Sequence, residues 1–320
     1  MTTLLQTILN QSTLESTEQL AETFTQAEPF SHLVIEDFFA ADFCQALLNE
    51  FPAFEKERAR NENGTIGGKA VQPKVRNLGE HYRALDQLVS SPDFLQWLSR
   101  ATDIPDLIYD PDYFGGGTHE NRHGQDLDPH VDFNRHPVTN YHRRLNLIVY
   151  LNHEWSKDWG GAIEFHQNPR LDPTDNRITQ VLPLFNRCVI FATHDHSWHG
   201  FERINLPEAD ADPRSRKSVA LYFYSKTRPS HEYKGRHSTI YVDRPLPAHI
   251  QPGTTLSEED YQRIRILLAR RDQHLERLYR ENHRLQDMLD NLTSSRTFWL
   301  LRRCLTVAYK IRQRLLRRPD

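Results

Sequence analysis

The segment 128–134, DPHVDFN, places His130 and Asp132 two residues apart. On a β-strand, residues at i and i+2 project from the same face, so an imidazole and a carboxylate at this spacing can bind one cation together. A second histidine from elsewhere would complete a set of two histidines and one carboxylate, which leaves coordination positions open and suits non-haem Fe(II). The chain has 17 histidines, so the alternative, a surface histidine beside a surface aspartate, remains open at this point.

The third ligand is expected at the end of a later strand. The segment 188–201, CVIFATHDHSWHGF, offers His194, His196 and His199, and composition alone does not choose among them. A competing pair, His274 and Glu276, is set aside because residues i and i+2 do not share a face of the helix predicted there.

A second pattern points to an anionic ligand. In the segment 216–225, RKSVALYFYS, Arg216 and Ser218 alternate onto one strand face. A guanidinium binds a carboxylate through two points, and a neighbouring hydroxyl adds a third contact, so this face suits a dicarboxylate. The alternative is an ordinary charged residue at the start of a strand.

The elements around these residues are predicted from apolar periodicity. Between about residues 107 and 242, short apolar runs alternate with GGG, GG, NP and DP turn signals, which is typical of a β-sandwich or barrel. We predict a helical lead-in over 1–28, a strand within 29–39 and a helix over 40–51. A flexible loop over 55–80 and one helix over 81–101 complete the N-terminal part.

Four motifs in this order resemble one protein family. They are PHVDF, RRLNLIVYLNHEWSKDWGGAIEF, NRCVIFATHDHSWHGF and RKSVALYFYS, and they resemble the prolyl 4-hydroxylase-like branch of the Fe(II)/2-oxoglutarate oxygenases. The GGG-x-H segment at 115–119 is similar to that of bacterial members, and PFSHLVIEDFF at 29–39 resembles the family's opening strand. The resemblance covers about residues 28–242.

The resemblance implies an α+β fold with a double-stranded β-helix (jelly-roll) core, flanking N-terminal helices and a C-terminal helical or coiled-coil extension. It also implies site residues. Its metal ligands are His130, Asp132 and His199, the histidine before glycine in WHG. Arg216 would pair with the distal carboxylate of 2-oxoglutarate, with Tyr150 and Ser218 as further contacts; the alternative for Tyr150 is a core aromatic. No catalytic residue beyond the iron ligands is expected, and His194 and His196 would line the approach or face solvent.

The implied activity is hydroxylation with release of succinate and CO2. Its cofactors would be Fe(II), with 2-oxoglutarate and O2 as co-substrates and ascorbate as a candidate reductant. Asp132 favours hydroxylation, because related halogenases lack this carboxylate. The sequence departs from the eukaryotic prolyl hydroxylase pattern in a longer segment between Gly117 and His130, in Arg216 in place of lysine, and in an insertion at 168–180 that would cap the pocket. The substrate therefore stays open among a peptidyl prolyl or other residue, an amino acid, and a sugar- or lipid-linked intermediate.

The C-terminal segment has a different character. From residue 256 onward there are 15 Lys+Arg against 9 Asp+Glu, whereas the rest has 25 against 34. Residues 261–292 fit a heptad in which eight of ten a and d positions are apolar or aromatic, with Asn282 at an a position. This pattern predicts a coiled-coil homodimer; the alternative is a single amphipathic helix folded on the oxygenase domain. Residues 296–318 hold eight Lys+Arg and no acidic residue, which suits peripheral contact with an anionic membrane; the alternatives are a solvated basic helix end and a docked helix.

These patterns predict four segments: a helical lead-in (1–28), an oxygenase domain (29–250, β-helix core about 107–242), a coiled coil (256–292) and a basic amphipathic tail (293–320). The chain has no run of 18 apolar residues and no signal-peptide pattern, and its three cysteines are far apart in the sequence. These features predict a cytoplasmic or membrane-peripheral protein. Its acidic body makes nucleic-acid binding unexpected. Two alternatives are a non-catalytic β-helix adaptor acting through the coiled coil, and a cupin-like isomerase or zinc enzyme, which gives no reason for the strand with Arg216 and Ser218.

Overall fold

The computed structural model describes residues 3–55, 59, 69–207, 214–294, 299, 303, 304 and 309. The chain divides into two compact units, Met1–Thr255 and Leu256–Asp320. Among the described residues, no helix is both long and apolar enough to cross a membrane.

The first unit opens with three short helices, α1 (Leu4–Ile8), α2 (Gln11–Glu15) and α3 (Thr17–Gln26). The side chains of Thr3 and Asn10 cap the first two by accepting hydrogen bonds from backbone amides that the helix leaves unpaired. Strand β1 (His32–Ile35) and helix α4 (Ala41–Asn49) follow. The strand predicted within 29–39 and the helix predicted over 40–51 are thus confirmed.

Two sequence predictions are wrong in detail. The single helix predicted over 81–101 is two helices, α5 (Glu80–Ser90) and α6 (Pro92–Thr102). Ser91 is extended (φ −73°, ψ 144°) because the ring of Pro92 disfavours helical backbone before it, and its hydroxyl caps α6. The loop predicted over 55–80 contains strand β2 (Ala70–Gln72) and a 3₁₀ turn at Val75–Asn77; residues 56–58 and 60–68 lie outside the described residues. Pairing with another strand, rather than an apolar pattern of its own, orders β2.

Two antiparallel sheets form the centre of the unit. Besides β1 and β2, the strands are β3 (Ile108–Tyr109), β4 (Gly117–Asn121), β5 (Leu127–Val131), β6 (His142–Tyr150), β7 (Ile163–His166), β8 (Ile178–Val181), β9 (Cys188–Ala192), β10 (Trp198–Phe201), β11 (Arg216–Ser225) and β12 (Ile240–Tyr241). The major sheet has the order β1-β9-β6-β11-β4-β2, with β3 paired to β11, and the minor sheet has the order β12-β5-β10-β7-β8.

The alternation of side chains on β9 shows how the layers pack. Cys188 and Ile190 belong to a large apolar cluster with residues of α4, α5 and α6, so this face of the major sheet is covered by helices. Val189 and Phe191 instead join Phe165 of β7 in a smaller cluster between the two sheets. The expected double-stranded β-helix is therefore confirmed, with helices on the outer face of its major sheet.

The second unit contains one long helix, α7 (Glu258–Ser294). Its 37 residues correspond to a length of roughly 55 Å at the α-helical rise. Several of its heptad leucines are exposed, among them Leu268 at 57% and Leu285 at 65%. Most of residues 296–318, for which we predict membrane contact, lie outside the described residues.

Candidate metal and 2-oxoglutarate site

The minor sheet brings the two predicted histidine ligands together. His130 on β5 and His199 on β10 are direct antiparallel partners, and their ring centroids are 4.2 Å apart. Asp132 follows immediately after β5, and its Oδ1 lies 3.7 Å from His130 Nε2 while its Oδ2 lies 3.5 Å from His199 Nε2. One potential ligand atom from each of the three residues lies within 4.8 Å of the others. They are the only such group of three or more histidine, cysteine or acidic residues found within the described part of the chain.

Backbone contacts fix which nitrogen of each imidazole faces the cluster. His130 Nδ1 lies 2.9 Å from the carbonyl oxygen of Asp128, and His199 Nδ1 lies 2.9 Å from that of Ser197. A carbonyl oxygen only accepts, so Nδ1 carries the proton in both rings and each Nε2 presents a lone pair. Burial lowers the pKa of His130 to about 3 and also lowers that of His199. Both rings are therefore neutral near pH 7, as metal ligation requires.

Asp132 is held in its ionised form by two residues of β6. Its Oδ2 accepts a hydrogen bond from Asn146 Nδ2 at 2.7 Å and lies 3.1 Å from Arg143 Nη2. Burial acts to raise the pKa of Asp132, but the charge of Arg143 and the hydrogen bond from Asn146 lower it below its usual range. These two contacts use Oδ2, whereas Oδ1 lies on the side of His130.

The sequence patterns predict no site role for Arg143 or Asn146. Arg143 lies 3.7 Å from the ring centroid of Tyr222, and its Nε and Nη2 both donate to Asn146 Oδ1. Asn146 and Tyr150 are four residues apart on β6 and so project from the same face of the strand. The alternation of side chains therefore predicts that Asn146, like Tyr150, points into the barrel. By the same alternation Arg143 would project from the other face of β6. It nevertheless points into the barrel because the register between β6 and β11 shifts beside it, at Phe223 and Tyr224.

The predicted carboxylate-binding residues meet on the major sheet. Arg216 is 5% exposed, its Nη2 donates to Tyr150 Oη at 3.0 Å, and its Nε donates to the carbonyl of Gly161 at 2.7 Å. The guanidinium lies 4.5 Å from the ring centroid of Phe201 on β10, so it sits between the two sheets. Ser218 is buried on the same strand, directly opposite Tyr150.

Arg216 has no acidic partner among the residues that the structure describes, and burial lowers its pKa. An unpaired buried charge is unfavourable, so this position is suited to an anionic ligand that would neutralise it. Tyr150 is fully buried, and among the described residues its hydroxyl accepts from Arg216 and donates to no acceptor, so its proton is available to the same ligand.

The other histidines near the site take different positions. His194 accepts a hydrogen bond from Arg228 Nη2 at 2.7 Å through Nδ1, and it stacks on the exposed His196 with ring centroids 5.1 Å apart. His119 of the GGG-x-H segment is buried opposite Ser218. Burial lowers the pKa of His119, and the nearby charge of Arg216 also acts to lower it. Tyr241 of β12, for which no sequence pattern predicts a site role, stacks its ring on that of His130, with centroids 5.2 Å apart.

Gly200 sets the spacing between the two histidine strands. A Cβ at this position would come within 2.6 Å of the carbonyl oxygen of Leu127, so Gly200→Ala must push β10 away from β5. We expect this change to weaken Fe(II) binding by roughly tenfold or more, because ligand misplacement below an ångström is sufficient for such a loss. Equilibrium metal titration would measure it. Gly253→Ala is the control, because Gly253 has a positive φ but a Cβ there would meet open space. Wild-type affinity for Fe(II) in Gly200→Ala would contradict the expectation.

Comparison with known proteins agrees with this geometry. Residues 116–233 match the family model described as "2OG-Fe(II) oxygenase superfamily". A curated relative, mouse "Prolyl 3-hydroxylase OGFOD1", is 24% identical over 235 residues, which cover 69% of this chain and 36% of the relative. The chain thus spans about a third of the length of that protein.

Solved structures of similar proteins include a Trichoplax adhaerens prolyl hydroxylase in complex with a hypoxia inducible factor peptide. It is 15% identical, with a TM-score of 0.47 over 68% of this chain and 94% of that one. A prolyl 4-hydroxylase from Phytophthora capsici is 19% identical, with a TM-score of 0.43 over 94% and 90% of the two chains. The matched segment holds the two histidines, the aspartate and the buried arginine, and over these residues the chain is similar to the 2OG-Fe(II) oxygenase superfamily.

Proposed function

We propose that the protein is a hydroxylase that uses Fe(II), 2-oxoglutarate and O2. The observation that carries this proposal is the unpaired Arg216 guanidinium, buried between the same two sheets that bring His130, Asp132 and His199 together. A structural metal site would explain the three ligands but not the uncompensated charge. A non-catalytic adaptor would have no use for either feature.

The residues present fit the cofactors. His130 and His199 would bind Fe(II) through Nε2 and Asp132 through a carboxylate oxygen, which leaves positions for a chelating co-substrate. When bound, iron and 2-oxoglutarate supply oxygen activation coupled to decarboxylation, which yields succinate, CO2 and a hydroxylated product. The presence of Asp132, which related halogenases lack, favours hydroxylation.

The chain's own residues would orient the co-substrate and exclude water. Arg216 and the Tyr150 hydroxyl, 3.0 Å apart, would together bind its distal carboxylate, and Ser218 would add a third contact. Arg143 and Asn146 would hold Asp132 in the ionised form and in one orientation. Since these groups are buried, their interactions with the co-substrate would be stronger than in water.

Anaerobic titration tests the cofactor part directly. Protein loaded with Fe(II) should develop a visible charge-transfer band when 2-oxoglutarate is added, and should form succinate once O2 is admitted. If wild-type protein binds iron but gives neither band nor succinate, the oxygenase proposal fails and a structural metal site replaces it.

The substrate proposal rests on the named relative and on the insertion. The mouse relative is described as a prolyl 3-hydroxylase, so peptidyl proline is the first candidate for this chain, followed by other peptidyl residues, free amino acids and sugar- or lipid-linked intermediates. The insertion at 168–180 contacts the strand that carries His199: Arg170 lies 4.4 Å from the ring centroid of Trp198, and Ile178–Val181 forms the edge strand β8. The substrate should gain one oxygen atom by mass spectrometry in step with succinate formation.

For the C-terminal unit we propose a coiled-coil homodimer through residues 261–292. Its support is the heptad and the exposure of the leucines on it, such as Leu275 at 44% and Leu285 at 65%. Light scattering should give a dimer for the full chain and a monomer for the double variant Leu275→Asp/Leu285→Asp. Gln273→Asp, at an outward f position of the same helix, should remain dimeric. A monomeric wild-type chain would contradict the proposal.

The basic segment 296–318 is proposed to bind anionic membrane surfaces from the cytoplasm. Its support is the cationic, acid-free composition with interleaved apolar residues and the chain's few, scattered cysteines. Co-sedimentation with vesicles should increase when phosphatidylserine replaces part of the phosphatidylcholine, and should fall on removal of residues 296–320. Equal sedimentation with neutral vesicles would contradict it.

A further inference from the structure

A cavity that none of the proposed iron ligands lines lies on the face of the major sheet that the helices cover. Its volume is about 490 Å³, within the range typical of small-molecule sites. Ala192 of β9 and Phe24 of α3 contribute apolar walls, and both belong to the helix-side core cluster. None of His130, Asp132, His199, Arg216 and Tyr150 lines this cavity. Its chemistry is therefore independent of the proposed function.

Two buried arginines share one carboxylate on a wall of this cavity. The side chains of Arg144 and Arg228 are 6% and 1% exposed, and both face Glu232 Oε2, at 3.4 Å from Arg144 Nη2 and 3.1 Å from Arg228 Nε. Burial lowers the pKa of both guanidiniums, and their mutual repulsion lowers that of Arg144 further. One carboxylate shared between two buried cations leaves the wall with a positive charge.

Arg144 is also poorly supplied with hydrogen-bond acceptors. Its Nη1 donates at 3.3 Å to Ser225 Oγ and at 3.4 Å to the carbonyl of Thr227, both near the limit for a hydrogen bond. Its Nε is buried and has no acceptor among the described residues. A buried guanidinium costs free energy when its donors are unpaired, so an oxyanion in the cavity would stabilise this arrangement.

The mouth of the cavity carries the opposite charge. Asp103 and Asp106 line it, both are exposed, and both adopt left-handed backbone, with φ of 53° and 56°. Two carboxylates at the entrance disfavour a dianion such as phosphate, whereas a cationic group at that end of a ligand would be favoured.

We propose that this cavity binds a small zwitterion of the α-amino-acid class. The ligand's carboxylate lies against Arg144 and Arg228, and its ammonium group faces Asp103 and Asp106. The apolar walls formed by Phe24 and Ala192 contact its side chain. The arrangement is a ligand site separate from the one that binds the co-substrate.

Isothermal titration calorimetry of the full chain with each of the twenty common amino acids tests the proposal. At least one should bind saturably at millimolar concentration or below. Its decarboxylated amine should not bind, because it lacks the group that the arginines require, and its des-amino acid should bind more weakly. If no amino acid binds at up to 10 mM, a concentration that corresponds to roughly −3 kcal/mol, the proposal is overturned.

Three variants locate the bound amino acid. Arg144→Gln should weaken binding about tenfold or more, whereas Arg216→Gln, which alters only the proposed 2-oxoglutarate site, should leave it unchanged. Ala192→Leu fills the cavity without changing any charge and should also abolish binding, so the test stays decisive should Arg144→Gln fail to fold. Binding that survives Ala192→Leu, or that is lost in Arg216→Gln, would place the amino acid elsewhere and overturn the proposal.

The charge at the mouth has its own test. Asp103→Asn/Asp106→Asn retains residues that tolerate left-handed backbone while it removes both carboxylates. The amino acid should lose affinity in this variant, and its des-amino analogue should not. Equal losses for the two compounds would overturn the assignment of the ammonium position.

Discussion

Asp132→Asn should abolish succinate formation and weaken Fe(II) binding on the order of 100-fold, since it removes the only anionic ligand of the three. Asparagine keeps the shape of the side chain and an oxygen that can accept from Arg143, so the fold should be retained. Equilibrium titration with Fe(II) under anaerobic conditions measures the affinity, and circular dichroism verifies the fold.

Two further variants define the origin of this loss. His196→Ala alters an exposed histidine three residues before His199 and should bind Fe(II) as the wild type does. Asp132→Ala should lose iron too, but it also leaves the Arg143 guanidinium, 1% exposed, without its carboxylate, at a cost of roughly 3–5 kcal/mol of folding free energy. If Asp132→Asn kept wild-type iron affinity, Asp132 would not be a ligand.

Arg216→Leu should weaken the binding of 2-oxoglutarate without lowering the stability of the fold. The variant should bind Fe(II) normally, yet its Kd for 2-oxoglutarate should rise roughly 100-fold or more, which is the loss of two charge-assisted hydrogen bonds. Its melting temperature without co-substrate should be equal to or above that of the wild type, because a buried, unpaired charge is replaced by an apolar side chain.

Together, the affinity and the melting temperature distinguish a role of Arg216 in binding 2-oxoglutarate from a purely structural role. A merely structural Arg216, bound to Tyr150 and Gly161, predicts a lower melting temperature for Arg216→Leu and no change in 2-oxoglutarate affinity. Arg214→Leu, which removes a more exposed arginine two residues earlier, is a matched control and should leave the affinity unchanged. A destabilised variant with wild-type affinity would remove the main support for the oxygenase proposal.

Much of the site could be predicted because strand geometry is local. The two-residue period of a strand places His130 beside Asp132 and Arg216 beside Ser218 without knowledge of the fold. The choice of His199 over His194 and His196 came from the family resemblance, since all three follow the same strand. The structure brings His199 directly opposite His130, whereas His194 bonds Arg228.

The features that the sequence did not reveal depend on contacts between distant segments. Arg143 shares the barrel interior with Asn146 because of a register shift between two strands, which no periodicity in β6 records. Strand β2 has little apolar pattern and is ordered by pairing with β4. The break between α5 and α6 has a sequence signal, since Ser91 before Pro92 marks a helix start, but the apolar periodicity continues across it and predicts a single helix.

The bonds from the two histidine Nδ1 protons to backbone carbonyls have a consequence for metal selectivity. These bonds are made within the protein, so both imidazoles are oriented before any metal ion binds. The ligands therefore need little rearrangement on binding, and rearrangement cannot favour one metal ion over another. A preformed site with two nitrogens and one oxygen follows the Irving–Williams order, in which Ni²⁺, Cu²⁺ and Zn²⁺ bind more tightly than Fe²⁺. Occupancy by iron would then be decided by the supply of metal ions in the cell, and protein purified on a nickel resin would regain activity only after chelation and reloading.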